Sequence, residues 1–394
     1  MKKILVKKPK ILVFLCDRAN YGRLKPVIQE LYLRKNVNVE IACCGSMLLE
    51  KYGFSYKVIQ NEGFKINYKF YSEVDGANHT SMTKSIALTI NDFSNVLNSS
   101  KPDKVVIIGD RYEALGAAIA ASFQNITIAH IQGGEKSGSI DESIRHAITK
   151  FSHIHFPATK EAEKNIIQMG ENKKFVFNYG CPSVDYLLKL KNLSNNCSLN
   201  YGVGAKISFD KKYLIVIYHP DTKNNNEIQP IVERLLDSLS SLKIQTIWLW
   251  PNIDAGSDLI SKKLRVFRER LKPQWLHLVK NLDPTLFSKI LKNASCAIGN
   301  SSSFVRDTSF HGTPVVLLGS RQNGREVGKN VIFYSNLNTS LTNKIKKQIN
   351  HGIYQSQYIY GKPGASKKIV NKIISCNPPL NKEFFSFSYE FSNS

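Results

Sequence analysis

Short apolar, β-branched runs alternate with longer amphipathic stretches from one end of this chain to the other, a pattern that suits βαβ units assembled into parallel sheets. In the first part the spacing predicts strands at Ile11–Cys16, Val37–Cys44, Lys104–Asp110, Ile126–Gly133, His153–Ala158 and Val176–Gly180. The pattern then restarts at Tyr213–His219, Gln245–Trp250, Leu276–Val279, Cys296–Gly299, Pro314–Leu318 and Val331–Tyr334. Between the two series, Leu190 to Lys211 is rich in Asn, Ser and Lys and reads as a connector. An α/β chain with two doubly wound, Rossmann-like domains is therefore expected. They are placed at residues 1–190 and 212–355, with a linker at 191–211 and a tail at 356–394 that is helical and packs back. A chain of 394 residues is long enough for both.

Composition narrows the function classes. With 42% hydrophobic and 22% charged residues the chain is globular rather than disordered. No apolar run reaches the roughly 18 residues needed to cross a bilayer. The opening Met1 to Lys10 alternates Lys with short apolar pieces instead of forming a signal segment, so a cytoplasmic location with no membrane partner is expected. The seven cysteines (Cys16, Cys43, Cys44, Cys181, Cys197, Cys296, Cys376) are scattered, with no CxxC pair and no His at zinc spacing. Reduced thiols and no metal site are expected. A net charge of +23 points toward an anionic partner. Because the lysines are spread along the chain and their clusters lack interleaved aromatics, a small anionic substrate is favoured over nucleic acid.

In doubly wound sheets the ligand sits beyond the C-terminal ends of the strands, so chemistry is sought in the loops that follow them. Four stretches stand out. Cys16-Asp17-Arg18-Ala19-Asn20-Tyr21-Gly22-Arg23 follows an apolar strand, with Pro26 expected near the first turn of the next helix. Arg18 and a helix N-terminus there suit a diphosphate. Gly109-Asp110-Arg111-Tyr112-Glu113 brings an acid and a base to a strand end, although Asp110 also suits a helix cap. The stretch from His130 through Gln132-Gly133-Gly134-Glu135 to Asp141, Glu142, Arg145 and His146 is the densest in titratable groups, as proton transfer requires. Its Ser139-Ile140-Asp141-Glu142 also reads as a capping box. Finally, Gly299-Asn300-Ser301-Ser302-Ser303 runs into a helix carrying Asp307, followed by Gly319-Ser320-Arg321. Hydroxyls and free amides there suit phosphate, with a carboxylate one turn on for ribose hydroxyls. His219 ends a strand facing the same cleft.

These motifs, taken in order with Gly180-Cys181-Pro182-Ser183 and Gly319-Ser320-Arg321-Gln322-Asn323-Gly324-Arg325, resemble the hydrolysing UDP-N-acetylglucosamine 2-epimerases, including the sialic- and legionaminic-acid pathway enzymes. The resemblance covers nearly the whole chain. It implies a GT-B-like arrangement with the active site in the interdomain cleft, a homodimer or homotetramer, a UDP-linked sugar as substrate, and no cofactor. By position it places Arg18, His219, Ser301, Ser302 and Arg321 around the diphosphate and Asp307 at the ribose. Asp110, Asp141 and the neighbourhood of His130 line the sugar, with Glu135, Gln132 and Asn20 in the catalytic set and Arg111, Arg145, His146 and Asn300 in the binding set. The implied reaction removes the C2 proton, expels the nucleoside diphosphate from C1 to give a glycal, and adds water to release the C2-inverted sugar.

Four positions depart from the family pattern: Asn20 stands where most members carry Asp, Gln132 where they carry Glu, Met47 where they carry His, and Asp307 where they carry Glu. An amide accepts no proton at neutral pH, so neither Asn20 nor Gln132 serves as a general base. That leaves Asp110 as the expected base or its close partner, and Asp141 for protonation or water. UDP-N-acetylglucosamine is the default donor, for nonulosonic-acid or other surface-glycan synthesis, and a UDP- or GDP-linked 2,4-diacetamido sugar is the alternative. A glycosyltransferase and a non-catalytic nucleotide-sugar binder on the same architecture remain as rival readings.

Overall fold

The computed structural model describes residues 8–191, 193, 199, 201–221, 228–335 and 339–386. The N-terminal unit is built on a six-stranded parallel sheet of β1 (Lys10–Leu15), β2 (Asn38–Cys43), β3 (Tyr68–Lys69), β4 (Lys104–Ile108), β5 (Thr127–Ile131) and β6 (Ile154–Phe156), in the spatial order β3-β2-β1-β4-β5-β6. A seven-stranded sheet carries the C-terminal unit: β7 (Val203–Gly204), β8 (Tyr213–Ile217), β9 (Gln245–Leu249), β10 (Leu276–Val279), β11 (Cys296–Gly299), β12 (Val315–Leu318) and β13 (Val331–Tyr334). Its order, β13-β12-β11-β8-β9-β10-β7, repeats the same winding from β8 onward, and β7 adds an antiparallel edge on β10. Both units are thus Rossmann-like, each with its strand order reversing beside its first strand.

Helices cover both faces of each sheet, which is why runs such as Lys104–Ile108 and Tyr213–Ile217 are buried at every residue instead of alternating. The helix Arg18–Tyr32 shows how the covering works. Its Leu24, Val27, Ile28 and Leu31 recur at helical spacing and bury against β1, β2 and β4. A late helix, Ala365–Ser375, lays Ile369, Val370 and Ile373 into the same cluster, so the chain returns to the N-terminal unit after completing the second sheet. Lys104 fixes it there by donating from Nζ to the carbonyls of Ile373 and Cys376 at 2.7 and 2.6 Å. Farther on, Lys382 reaches the buried Glu171 at 2.7 Å.

Several sequence expectations need correction. Val176–Gly180 forms no strand, only a single bridge from Val176 to His155. The two-residue strands β3 and β7 were not anticipated, and β7 lies within the segment read as a linker. Pro26 sits well inside its helix rather than in the first turn, because Asp17 caps the helix at Ala19 and starts it at Arg18. Arg18, Asn20 and Arg23 therefore project from helical turns, not from a loop. Ser139 does cap the helix Ile140–Phe151, but Glu142 accepts from the amide of Ser137 rather than closing a capping box. Asp110 caps nothing; Arg111 occupies the cap position of the next helix. The cysteines within the described residues are free thiols, and Cys197 lies outside those residues. No described helix is long and apolar enough to cross a membrane.

The chain passes from the first unit to the second near Cys181 and returns near Tyr360, and these two passages touch. Cys181 N–H donates to the Tyr360 carbonyl at 2.7 Å. Gly180 and Gly361 both have positive φ, +87° and +109°, and a Cβ on Gly180 would lie 2.6 Å from the Gly361 Cα. Gly180→Val is expected to lower stability by about 3 kcal/mol or more, from backbone collision and an unfavourable φ together. A urea midpoint equal to that of the unaltered chain would show that the passages separate freely.

Candidate active site

The ends of β1 and β4 in one sheet, and of β8 and β11 in the other, mark the reversals of strand order, and they face each other across a cleft. Arg18, Asn20 and Arg23 come from the helix after β1, and Gly109, Asp110 and Arg111 from the end of β4. His219 follows β8, Ser301, Ser302, Arg306 and Asp307 follow β11, and Arg321 follows β12.

A chain of alternating charges crosses the cleft. Arg111 holds the buried Glu113 with Nε and Nη2, both at 3.1 Å, and Asp254 with Nη1. Asp254 in turn accepts from Arg321 at 3.4 Å, and the same Arg321 nitrogen reaches Asp141 at 2.9 Å. Beside this chain Arg145, fully buried, binds Asp110 from Nε at 3.0 Å and also from Nη2, and donates to the Glu135 carbonyl at 2.5 Å. The Glu135 carboxylate collects Arg306 at 2.5 Å and Arg325 at 2.7 Å.

Environment drives the acids apart. Burial would raise the Asp110 carboxyl, but Arg145, Arg325 and Arg306 outweigh it and hold the group well below its ordinary value, hence ionised. For Asp141 burial wins over Arg321, with Asp110 and Asp254 adding to the rise. Two carboxylates of opposite tendency near one another are the arrangement that acid and base roles require.

The opposite wall offers neutral donors. Burial, with Arg321 nearby, pushes the His219 ring well below its ordinary pKa. Its Nδ1 accepts from the Asn252 amide at 3.1 Å, so the remaining proton sits on Nε2. Asn300 is spent on the backbone of His219, accepting its N–H and donating to its carbonyl, both at 2.8 Å. Ser302 precedes the helix Ser303–His311 without capping it and receives Arg23 on its hydroxyl at 2.8 Å. Asp307 is buried with Oδ1 unpartnered, and burial pushes its carboxyl up. Arg18 spends its guanidinium on the carbonyls of Lys280 and Trp250, at 2.5 and 3.1 Å, and so ties the two units together.

Of the residues singled out from sequence, Arg18, Asn20, Asp110, Arg111, Gln132, His219, Ser301, Ser302, Asp307 and Arg321 share the cleft wall. Glu135, Asp141, Arg145 and Asn300 stand directly behind it. His130 is drawn into the sheet. Its Nε2 bonds the Gly109 carbonyl at 2.9 Å and its Nδ1 meets Thr149 at 3.1 Å, which positions the Gly109–Asp110 turn and leaves neither nitrogen for substrate. His146 lies off the cleft, 3.9 Å from Glu142 on its own helix. Met47 is buried in the core. Gln132, at φ +66°, accepts from Arg23 at 3.0 Å and donates to the Cys181 sulfur at 2.9 Å, while Asn20 accepts from the Cys16 thiol at 2.9 Å. Arg23 stood in the first stretch without a role of its own, and sequence reading missed Asp254 and Arg306 as site residues. Asp254 lies in Pro251-Asn252-Ile253-Asp254, just past the end of β9, where the strand-end rule applied elsewhere would have found it. Among the described residues no group of three or more His, Cys, Asp or Glu side chains is arranged to hold a metal ion.

Comparison with known proteins places this geometry. The family model for UDP-N-acetylglucosamine 2-epimerase matches residues 29–374. The UDP-N,N'-diacetylbacillosamine 2-epimerase (hydrolyzing) of Legionella pneumophila is 34% identical, over 82% of this chain and 84% of its own length. The GDP/UDP-N,N'-diacetylbacillosamine 2-epimerase (hydrolyzing) of Campylobacter jejuni is also 34% identical, over the same shares. Among solved structures, the UDP-GlcNAc 2-epimerase of Methanocaldococcus jannaschii, in complex with UDP-GlcNAc and UDP, superposes with a TM-score of 0.72 at 18% identity, covering 92% of this chain and 99% of the other. That likeness makes the fold GT-B-like.

Two outcomes follow from the buried charges. Glu135→Gln leaves Arg306 and Arg325 facing each other without their shared anion and is expected to cost about 3–5 kcal/mol, read as a lowered urea midpoint; an unshifted midpoint would mean the arginines have other anions to use. His130 is held at about 3, chiefly by burial. The unfolded chain therefore binds a proton that the folded one refuses, and stability falls as pH drops from about 6.5 toward 3, by up to ~1.4 kcal/mol per unit. In His130→Gln that part of the slope is expected to vanish.

Proposed function

The chain belongs to the UDP-N-acetylglucosamine 2-epimerase family, and from that premise we propose that it is a 2-epimerase of the hydrolysing type. Its donor on this reading is a nucleoside-diphosphate-linked 2,4-diacetamido sugar, and its products are the C2-inverted free sugar and the nucleoside diphosphate. One observation carries the reading: a cleft between two facing switch points sets an ionised carboxylate, Asp110, against a wall of neutral and cationic donors.

On this reading the diphosphate lies along the second unit, taking the His219 Nε2–H, the hydroxyls of Ser301 and Ser302 and the N-terminus of their helix. Asp307, with its unpartnered Oδ1, accepts a ribose hydroxyl. The sugar then reaches toward Asp110. Of the acids on the wall, Asp17 is committed as a helix cap and Asp307 to the nucleotide end, which leaves Asp110 to take the C2 proton as the C1–O bond breaks. The electron pair of that bond leaves with the diphosphate, where Arg321 and the serine-lined helix start spread the charge. Water then adds across the glycal double bond, its hydroxyl at C1 and a proton at C2 on the opposite face; Asp141, the carboxyl biased toward its neutral form, gives its proton to C2 and takes one from the attacking water, while Asp110 releases the abstracted proton to solvent. The named activities of the relatives from Legionella and Campylobacter support the diacetamido sugar, and the activity named for the family at large supports UDP-N-acetylglucosamine as the second reading.

Incubation with UDP-N-acetylglucosamine and with UDP- and GDP-linked 2,4-diacetamido sugars in deuterated water, followed by NMR at C2, separates these readings. Free C2-inverted sugar carrying deuterium is expected, with turnover of a diacetamido donor at least about tenfold faster, the worth of one well-placed polar contact. Absence of free sugar from every donor would end the proposal. Asp110→Asn is expected to lower kcat by about 10²–10⁴ while UDP binds within a few-fold of the unaltered enzyme. Unchanged turnover would remove Asp110 from the reaction.

A further inference from the structure

Arg321 is shared. One of its terminal nitrogens serves Asp141 at 2.9 Å and Asp254 at 3.4 Å, and its side chain is at the same time part of the cleft wall. The other cations nearby are committed: Arg111 to Glu113 and Asp254, Arg145 to Asp110, the Glu135 carbonyl and Ser137. Among the described residues Asp141 has ion-pair contact with Arg321 alone. It is faced by Arg321 from the turn after β12, by Asp110 from the end of β4, by Asp254 from the turn after β9, and by Ser139 from its own helix start. Among the described residues the one cation paired with Asp141 thus stands at the point where a bound anion would also seek it.

We propose that a nucleoside diphosphate entering the cleft draws Arg321 toward itself and away from Asp141, and that Asp141 takes up a proton from solvent as the nucleotide binds. The inference rests on the reading of the cleft as a nucleotide-sugar site and adds a coupling to it: the group that departs is also the group that arms the acid. Burial already biases Asp141 toward its neutral form, so loss of its one cation and arrival of a polyanion act in the same direction. His219 is not the recipient, because protonation at Nδ1 would break the bond it accepts from the Asn252 amide. Asp254 keeps Arg111 as a partner when Arg321 moves and stays ionised.

Calorimetric titration of the full chain with UDP at pH 7, in buffers of different ionisation enthalpy, counts the protons exchanged on binding. The unaltered protein is expected to take up about half to one proton more per UDP than Asp141→Asn, since any proton exchanged by the ligand's own phosphate is common to both. Asp254→Asn, which removes one neighbouring carboxylate, is expected to fall between them. Equal proton counts in the unaltered protein and Asp141→Asn overturn the inference while leaving the nucleotide site standing. Failure of the unaltered protein to bind UDP overturns both. A check that needs no variant is the pH dependence of the UDP Kd, which is expected to tighten as pH falls from 8 to 7; a Kd that is flat or weakens over that interval counts against the coupling.

Discussion

Charge removed from water must be paired, and in this molecule the pairs are formed across two folding units. Arg111 of the first finds Asp254 of the second; Arg321 of the second finds Asp141 of the first; Glu135 gathers Arg306 and Arg325 from across the boundary. Arg111 also holds Glu113 and Asp254 also meets Arg321 within their own units, but each of these charges has a partner across the boundary. The facing walls are therefore not two independent surfaces that meet by accident of packing. Each wall supplies the counter-ions of the other.

The repeated winding was legible because it depends on short-range chemistry. Runs such as 105–108 and Cys296–Gly299 are apolar throughout, flanked by turn residues, and have the length of buried parallel strands. The tips were harder. Residues read as strand ends, Gly109-Asp110 and Tyr218-His219 among them, lie in turns at the cleft, since the ladder stops where side chains must leave it. Tyr68–Lys69 and Val203–Gly204 have no pattern of their own and exist only because an edge was available to pair with. Val176–Gly180 has the composition of a strand, but only Val176 pairs.

The same division holds at the site. Residues that line the cleft from the loop after a strand, such as Asp110 and Ser301, stood out by position. Arg23, Asp254 and Arg306 did not, because what marks them is a partner far away in the chain: Arg23 links Gln132 to Ser302, and Arg306 closes on Glu135. His130 and His146 attracted attention as titratable groups, yet one is consumed by Gly109 and Thr149 and the other sits beside Glu142 outside the cleft. The two amides are more telling. Gln132 uses both ends of its carboxamide, taking Arg23 on oxygen and giving hydrogen to Cys181, which a carboxylate cannot do. Its neutrality is thus built into the surroundings and does not read as a lost acid.

The meeting of Gly180 with Gly361 bears on how such a cleft opens. Two units joined by separate, distant strands of chain would be free to slide or twist as well as to gape. Here both connections run through one spot, backbone against backbone, so a rotation of one unit against the other would turn about that spot. Cys181, and with it Gln132, lies beside that spot and would be displaced least.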